Sequence, residues 1–95
     1  MELTQIKNDI NGNPRFVVHF LNLLTKEENG YFDEAKQLYI EPILSLNQKY
    51  SAALKRAKKI GGRKFHNKQY GGGILFECPS PETLKIRIET LVNSL

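Results

Sequence analysis

The sequence has one cysteine, no tryptophan and no long apolar run, and these absences exclude several classes of protein. Because a single cysteine forms neither an intramolecular disulfide nor a multi-cysteine metal cluster, we expect a reducing, cytoplasmic setting. The longest apolar run, residues 16–24, is interrupted by His19 and Asn22 and is far shorter than the ~20 residues of a membrane helix. The first ten residues lack the charged and then apolar regions of a signal peptide. We therefore expect cytoplasmic localisation and no membrane partner.

The size and composition are typical of one globular domain. The chain has 95 residues, of which 40% are hydrophobic and 25% are charged. This apolar content is too high, and the charge too mixed, for a disordered chain. The length leaves no room for two domains, so we predict a single domain over residues 1–95.

Acidic residues are missing from residues 55–68, although the whole chain holds ten of them. Half of the 14 basic residues lie in that segment, and the formal net charge of the chain is +4. These seven are Lys55, Arg56, Lys58, Lys59, Arg63, Lys64 and Lys68. A surplus confined to 14 consecutive residues indicates one positively charged surface rather than general solubility.

Turn-forming residues predict a chain of six elements in the order ββαββα. Asn11-Gly12 is typical of a hairpin turn between a strand in residues 2–10 and an apolar strand, central in the sheet, in residues 16–24. Residues 63–70 and 74–78 predict an edge strand and a short buried strand. The predicted fold is α+β, a small antiparallel sheet with helices packed on one face, since each element has one apolar side to bury.

Two helices are expected from capping and periodicity. Thr25 and Glu28 have the spacing of a capping box, and Asp33 is a second candidate helix start. The apolar residues beyond it recur in steps of three and four: Tyr39, Ile43, Leu46, Tyr50, Ala53, Ala57 and Ile60. Pro42 interrupts this stripe, so we expect either a kink near residues 39–41 or a new helix that begins at Pro42. Gly61-Gly62 ends the helix, and Ser80-Pro81 begins the last one.

No arrangement of residues predicts catalysis, a metal site or a cofactor. Cys78 adjoins a proline in a predicted buried strand, and nothing near it in the sequence supports a pair with His19 or His66. The glycines at 61–62 and 71–73 do not match a phosphate-binding loop. We therefore expect a protein that is not an enzyme and holds no cofactor and no metal.

The basic segment predicts nucleic-acid binding without sequence specificity. The predicted contacts to nucleic acid are Lys55, Arg56, Lys58, Lys59, Arg63, Lys64, His66 and Lys68, with Phe65 and Tyr70 as stacking residues. DNA and RNA stay open, and protonation of His66 would strengthen binding below about pH 6.5. The same charges also have a purely structural explanation. Lysines near a helix C-terminus interact favourably with the helix dipole, and charges on an edge strand keep it from pairing with other chains.

The alternative is a protein-interaction module. In this interpretation the basic segment docks on an acidic protein surface, with Tyr31, Phe32, Tyr39 or Tyr70 as aromatic anchors. The edge strand at residues 63–70 also has the means to pair across a two-fold axis and form a homodimer.

Residues 11–20, 60–65 and 70–74 resemble small bacterial proteins carried by phages and other mobile elements. The matching stretches are NGNPRFVVHF, IGGRKF and YGGGI. The resemblance implies a bacterial cytoplasm and an accessory role, either nucleic-acid handling or binding and inhibiting a host protein. No established activity accompanies that group, so no functional residues are carried over from it.

Overall fold

The computed structural model describes residues 1–65 and 71–95, and its elements form an α+β fold. In chain order they are β1 (Leu3–Ile6), β2 (Arg15–His19), a 3₁₀ turn (Phe20–Leu23), α1 (Lys26–Asn29), β3 (Tyr31–Asp33), β4 (Leu38–Ile40), α2 (Leu46–Lys59), β5 (Gly62–Lys64), β6 (Gly73–Glu77) and α3 (Pro81–Asn93). The distal part of the predicted 63–70 strand, residues 66–70, lies outside the described residues.

The first two strands form the predicted hairpin. Antiparallel pairing sets Leu3 opposite Val18 and Ile6 opposite Arg15. In the connection, Gly12 adopts a φ of +82°, which glycine tolerates without strain. The carboxylate of Asp9 accepts hydrogen bonds from the backbone N–H groups of Asn11 and Asn13, each at 2.8 Å, and these bonds hold its pKa below the ordinary value. The Asn11-Gly12 signal is confirmed.

The main sheet has four antiparallel strands in the order β1-β2-β6-β5. Strand β2 is therefore central, as its apolar sequence predicts, and β5 lies at an edge. Side chains alternate across the sheet, so that Phe16 and Val18 of β2 share a face with Ile74 and Phe76 of β6. These four side chains join Ala53 and Ala57 of α2, and Leu84 and Ile88 of α3, in one buried cluster. Both long helices thus pack on the same face, as expected.

The structure corrects the predicted second element, which is shorter than residues 16–24. Strand β2 ends at His19, and the chain continues as a 3₁₀ turn. His19 Nδ1 accepts the backbone N–H of Leu21 at 3.3 Å, and Asn22 Nδ2 donates to the carbonyl of His19 at 3.2 Å. These two polar side chains satisfy backbone groups locally, which lets the apolar run leave the sheet.

The prediction of helix around Pro42 is wrong in both of its forms. Residues 31–40 form the β3–β4 hairpin, in which Phe32 lies opposite Tyr39, and Pro42 belongs to the connection that follows it. The helix begins later, after Ser45, and its first residue is Leu46. The element order therefore contains an extra hairpin that ββαββα did not include.

A capping box decides where α2 begins. Ser45 Oγ accepts the backbone N–H of Gln48 at 3.3 Å, and Gln48 Oε1 accepts that of Ser45 at 2.9 Å. These bonds satisfy two backbone donors that a helix otherwise leaves free at its first turn. The corresponding box at Thr25 and Glu28 starts the one-turn helix α1, as predicted.

Substitution of Ser45 by alanine tests this helix start. We expect Ser45→Ala to lower the free energy of unfolding by about 1 kcal/mol, because the N–H of Gln48 loses its acceptor. Ser51→Ala is the matched control, since Ser51 is exposed inside α2 and alanine favours a helix interior. Urea unfolding followed by circular dichroism measures both. Equal stability of the two variants would contradict a cap at Ser45.

Candidate nucleic-acid interface

The C-terminal half of α2 presents an exposed lysine face, formed by Lys55, Lys58 and Lys59. Their spacing of i, i+3 and i+4 sets them on one side of the helix, and Ala53 and Ala57 on the opposite side pack into the core. Lys55 and Lys59 are separated by about 6 Å along the helix axis at a rise of 1.5 Å per residue. Within residues 1–65 and 71–95, none of the three lysines has an ion-pair partner. Their ammonium groups can therefore meet an anion without breaking a contact.

Neutral polar side chains continue the lysine face toward the start of α2. Asn47, Gln48 and Ser51 line a shallow groove of about 360 Å³ together with Ala52 and Lys55. Amide and hydroxyl groups are common donors to phosphate and sugar oxygens. The groove thus extends the surface on which a nucleic-acid backbone can lie.

The edge strand β5 adds Lys64 on the helix side of the sheet. Lys64 Nζ lies 5.8 Å from the centroid of the Tyr50 ring of α2, which is a cation–π distance. Arg63 points to the other face, where its Nη2 is 3.2 Å from Glu77 Oε1 in an exposed ion pair. An exposed pair of this kind contributes little to stability and exchanges readily with another anion. Lys64 therefore lies on the side of the sheet that α2 covers, and Arg63 lies on the other side.

Arg56 is held in a mostly buried ion pair with Glu28. Its Nη1 and Nη2 each donate to a carboxylate oxygen at 2.7 Å, and Nη1 also donates to the carbonyl of Leu23 at 2.9 Å. The side chains are only 16% and 12% exposed. The hydrogen bonds from Arg56, with smaller effects from Thr25, lower the pKa of Glu28 to about 2. Arg56 is one of the predicted nucleic-acid contacts, but its guanidinium already joins α2 to Glu28 of α1.

Of the remaining predicted nucleic-acid contacts, one is half-buried and three lie outside the described residues. Phe65 follows β5 and is half-buried. His66, Lys68 and Tyr70 lie outside the described residues, so their proposed roles in binding and stacking stay predictions.

Among the described residues, Cys78 and His19 lie apart, and the alternative pair of Cys78 with His66 falls outside the described residues. Cys78 is buried and follows the far end of β6, whereas His19 pairs with Gly73 at its start. Cys78 lies five positions after Gly73, which is about 17 Å along an extended strand. His19 instead lines a cleft of about 450 Å³ with Thr4 and Asn22, on the sheet face away from the helices. Among the described residues no group of three histidine, cysteine or acidic side chains is placed to hold a metal ion.

The β3–β4 hairpin and the segment that follows it expose several apolar side chains, of which only the aromatic ones were predicted as anchors. Phe32 and Tyr39 are 55% and 54% exposed, in keeping with their proposed role as anchors. Leu38, Ile43 and Leu46 are also exposed, the last two at 70%. Ile43 and Leu46 were assigned to the buried stripe of a long helix, and their exposure corrects that assignment. The Ser45–Gln48 spacing is the sequence signal that indicates the correct start, with Ile43 before the helix and Leu46 as its exposed first residue.

Comparison with protein families identifies the chain as a phage protein, which confirms the resemblance found in its sequence. The family model that matches is that of the Staphylococcus phage terminal repeat-encoded protein TreK, over residues 1–90. The chain therefore belongs to this family. Comparison with curated proteins and with solved structures finds no significant match. In the described ranges, none of the helices combines the length and the apolar character that a membrane crossing requires.

Proposed function

We propose that this phage protein binds nucleic acid through the phosphate backbone, without sequence specificity. The observation that carries the proposal is the lysine face of α2, where three exposed ammonium groups lie on one side of a helix and have no ion-pair partner among residues 1–65 and 71–95. Lys64 extends that surface, and release of condensed counterions supplies the driving force. The proposal keeps His66 and Lys68 as further contacts, leaves Arg56 to its ion pair with Glu28, and leaves out Arg63, which lies on the other face of the sheet.

Backbone binding predicts a strong dependence on salt. The experiment titrates labelled single- and double-stranded DNA and RNA with the protein and follows fluorescence anisotropy at several salt concentrations. Each phosphate contact adds about 0.9 to the slope of log K against log salt for duplex DNA. For Lys55→Gln/Lys58→Gln/Lys59→Gln we expect the slope to fall by about 3, and the affinity at low salt to fall at least tenfold.

The matched control removes equal charge elsewhere. Lys7→Gln/Lys36→Gln/Arg87→Gln replaces three exposed cations, so both triple variants carry a formal net charge of +1, which is +4 less three. If the lysine face is the interface, the control variant retains most of the affinity. Equal losses in the two variants would show that net charge alone drives binding. No binding of the wild type at low salt would refute the proposed function.

The second candidate is a protein-interaction module that binds a host protein. The exposed Phe32 and Tyr39 favour it, because partly exposed aromatic side chains are common anchors of protein interfaces. An acidic protein surface would contact the same lysines as nucleic acid does. A competition experiment distinguishes the two docking surfaces. Excess nucleic acid is expected to displace a protein partner that binds the lysine face, and to leave bound a partner that binds the β3–β4 hairpin.

A further inference from the structure

The β3–β4 hairpin has two open edges in the described part of the chain. Its strands pair only with each other, with Tyr31 opposite Ile40 and Asp33 opposite Leu38. Two-stranded sheets are marginally stable in water, and further strands with an apolar face are needed for independent stability. The hairpin therefore has both the free hydrogen-bonding groups and the energetic reason to add a strand.

Among the four edge strands of the described residues, β4 is the one best suited to pairing. Its three residues, Leu38, Tyr39 and Ile40, are all apolar or aromatic, and the first two are exposed. By contrast, β5 carries Arg63 and Lys64, charges of the kind that keep an edge from pairing. Strand β1 has Thr4 and Gln5 at its centre, and β3 ends in Asp33. An uncharged apolar edge is a template for another strand.

We propose that β4 pairs antiparallel with β4 of a second copy of this chain, across a two-fold axis at Tyr39. A two-fold axis makes the interface self-complementary. In this register Tyr39 lies opposite Tyr39 of the partner subunit, and Leu38 lies opposite Ile40 of the partner subunit. One step further, Gln37 faces Glu41 of the partner subunit, so no like charges are directly opposed. The two hairpins become one four-stranded sheet.

The proposed pairing also brings side chains of the same kind together on each face of the four-stranded sheet. Phe32 and Tyr39 lie on one face of the hairpin, since they are opposite each other in the register. The dimer therefore continues this face as a row of four aromatic rings, two from each copy. Leu38 and Ile40 of both copies meet on the other face. Cross-strand pairs of aromatic and branched apolar side chains are favourable neighbours in antiparallel sheets.

Salt separates this association from nucleic-acid binding. The hairpin and its flanks carry Asp33, Glu34 and Glu41 against Lys36, so two copies bring together surfaces of the same sign. Added salt screens their repulsion, and dimer formation is expected to strengthen with ionic strength. The affinity of the lysine face for phosphates is expected to fall as ionic strength rises. The opposite salt dependences therefore let dimer formation and nucleic-acid binding be tested separately.

Sedimentation velocity of the full chain, freed of nucleic acid and measured over a wide range of concentration, tests the proposal. The wild type is expected to shift toward twice its 10.9 kDa as concentration rises. Tyr39→Lys opposes two ammonium groups at the axis and is expected to stay monomeric. Phe32→Lys makes the same charge change on the neighbouring strand, and it is expected to weaken the dimer several-fold without abolishing it. A wild type that stays monomeric, or a dimer that survives Tyr39→Lys, overturns the proposal.

Disulfide trapping gives a second, independent test that does not depend on the stability of a charged variant. Directly opposed side chains have Cβ atoms about 4.5–5.5 Å apart, so Tyr39→Cys is expected to yield a covalent dimer under mild oxidation. Phe32→Cys is the control, because three inter-strand steps separate Phe32 from its copy by about 14 Å. Cys78 is buried and leaves the wild type uncrosslinked. Crosslinking through Phe32→Cys alone moves the axis to β3 and overturns the proposal.

Discussion

Replacing Arg56 by alanine is expected to lower the free energy of unfolding by about 2–3 kcal/mol, because it leaves the partly buried carboxylate of Glu28 without its partner. The guanidinium makes three hydrogen bonds, two to Glu28 and one to the carbonyl of Leu23. A buried acceptor that loses its donor bears the full cost of desolvation. Urea unfolding at pH 7 measures the loss.

Two further variants separate geometry from charge. Arg56→Lys keeps the positive charge but not the planar pair of donors, so an intermediate loss is expected. Lys55→Ala removes a charge from the adjacent, exposed position of the same helix and is expected to cost less than about 0.5 kcal/mol. If Arg56→Ala costs no more than Lys55→Ala, the ion pair does not stabilise the fold.

The same ion pair predicts how stability depends on pH. The pKa of Glu28 is about 2 in the folded chain, against an ordinary value of 4.5, so the folded state favours the ionised carboxylate. The resulting stabilisation is fully present above about pH 4.5 and is lost as pH falls toward 2. At 1.36 kcal/mol per pKa unit it amounts to about 3 kcal/mol.

A difference measurement isolates this contribution. The stability of the wild type minus that of Glu28→Gln is expected to be constant above pH 5 and to decrease steadily toward pH 2. Asp9, whose pKa is also lowered, titrates in both proteins and cancels in the difference. A difference that does not change with pH would show that Glu28 is not stabilised as a carboxylate.

Local signals in the sequence were sufficient for about half of the fold. Asn11-Gly12 predicted the first hairpin, and Ser80 with Pro81 predicted the start of α3, where Ser80 Oγ accepts the backbone N–H of Thr83 at 3.2 Å. These predictions succeeded because a turn or a helix cap is satisfied by residues within four positions of one another. The buried strand at residues 74–78 was recognisable for a similar reason, since its apolar run ends at a proline.

The β3–β4 hairpin was missed because two periodicities compete over the same residues. Tyr39, Ile43 and Leu46 have helical spacing, whereas Leu38, Tyr39 and Ile40 form a short run of good strand formers. Three-residue strands carry too little alternation to outweigh a long helical stripe. The capping box at Ser45 resolves the competition, since it marks the helix start beyond Pro42.

The division of the basic segment was beyond sequence reasoning for a different reason. Arg56 and Lys55 are neighbours of similar chemistry, yet one is held in an ion pair and the other is exposed. The difference arises from Glu28, which lies 28 residues earlier and comes within reach of Arg56 because the 3₁₀ turn before α1 packs against α2. Charge counting predicts where positive charge accumulates, but long-range contacts decide which of those charges are free to bind.

Strand β5 packs closely against α2 at Gly62, where there is no room for a side chain. We therefore expect Gly62→Ala to lower the free energy of unfolding by about 2–3 kcal/mol. A Cβ at that position would lie 2.6 Å from Cε1 of Phe76 and 2.8 Å from Cβ of Ala57. Both neighbours are buried in the core, so neither has room to move aside.

The adjacent glycine is the matched control for that substitution. A Cβ at Gly61 meets nothing within 4 Å, but its φ of +87° is disfavoured for alanine, and Gly61→Ala is expected to cost about 1 kcal/mol. In Gly62→Ala/Ala57→Gly one of the two clashes is removed, so the combined loss should be smaller than the sum of the single losses. Thermal and urea unfolding measure the wild type and the four variants, the single variant Ala57→Gly included. Because Gly62 lets β5 lie against α2, it also holds Lys64 beside Tyr50 of α2, and on the proposed function Gly62→Ala should weaken nucleic-acid binding more than Gly61→Ala does. Equal stability of the two alanine variants would mean that the close contact of Gly62 with Phe76 is not what joins the strand to the helix.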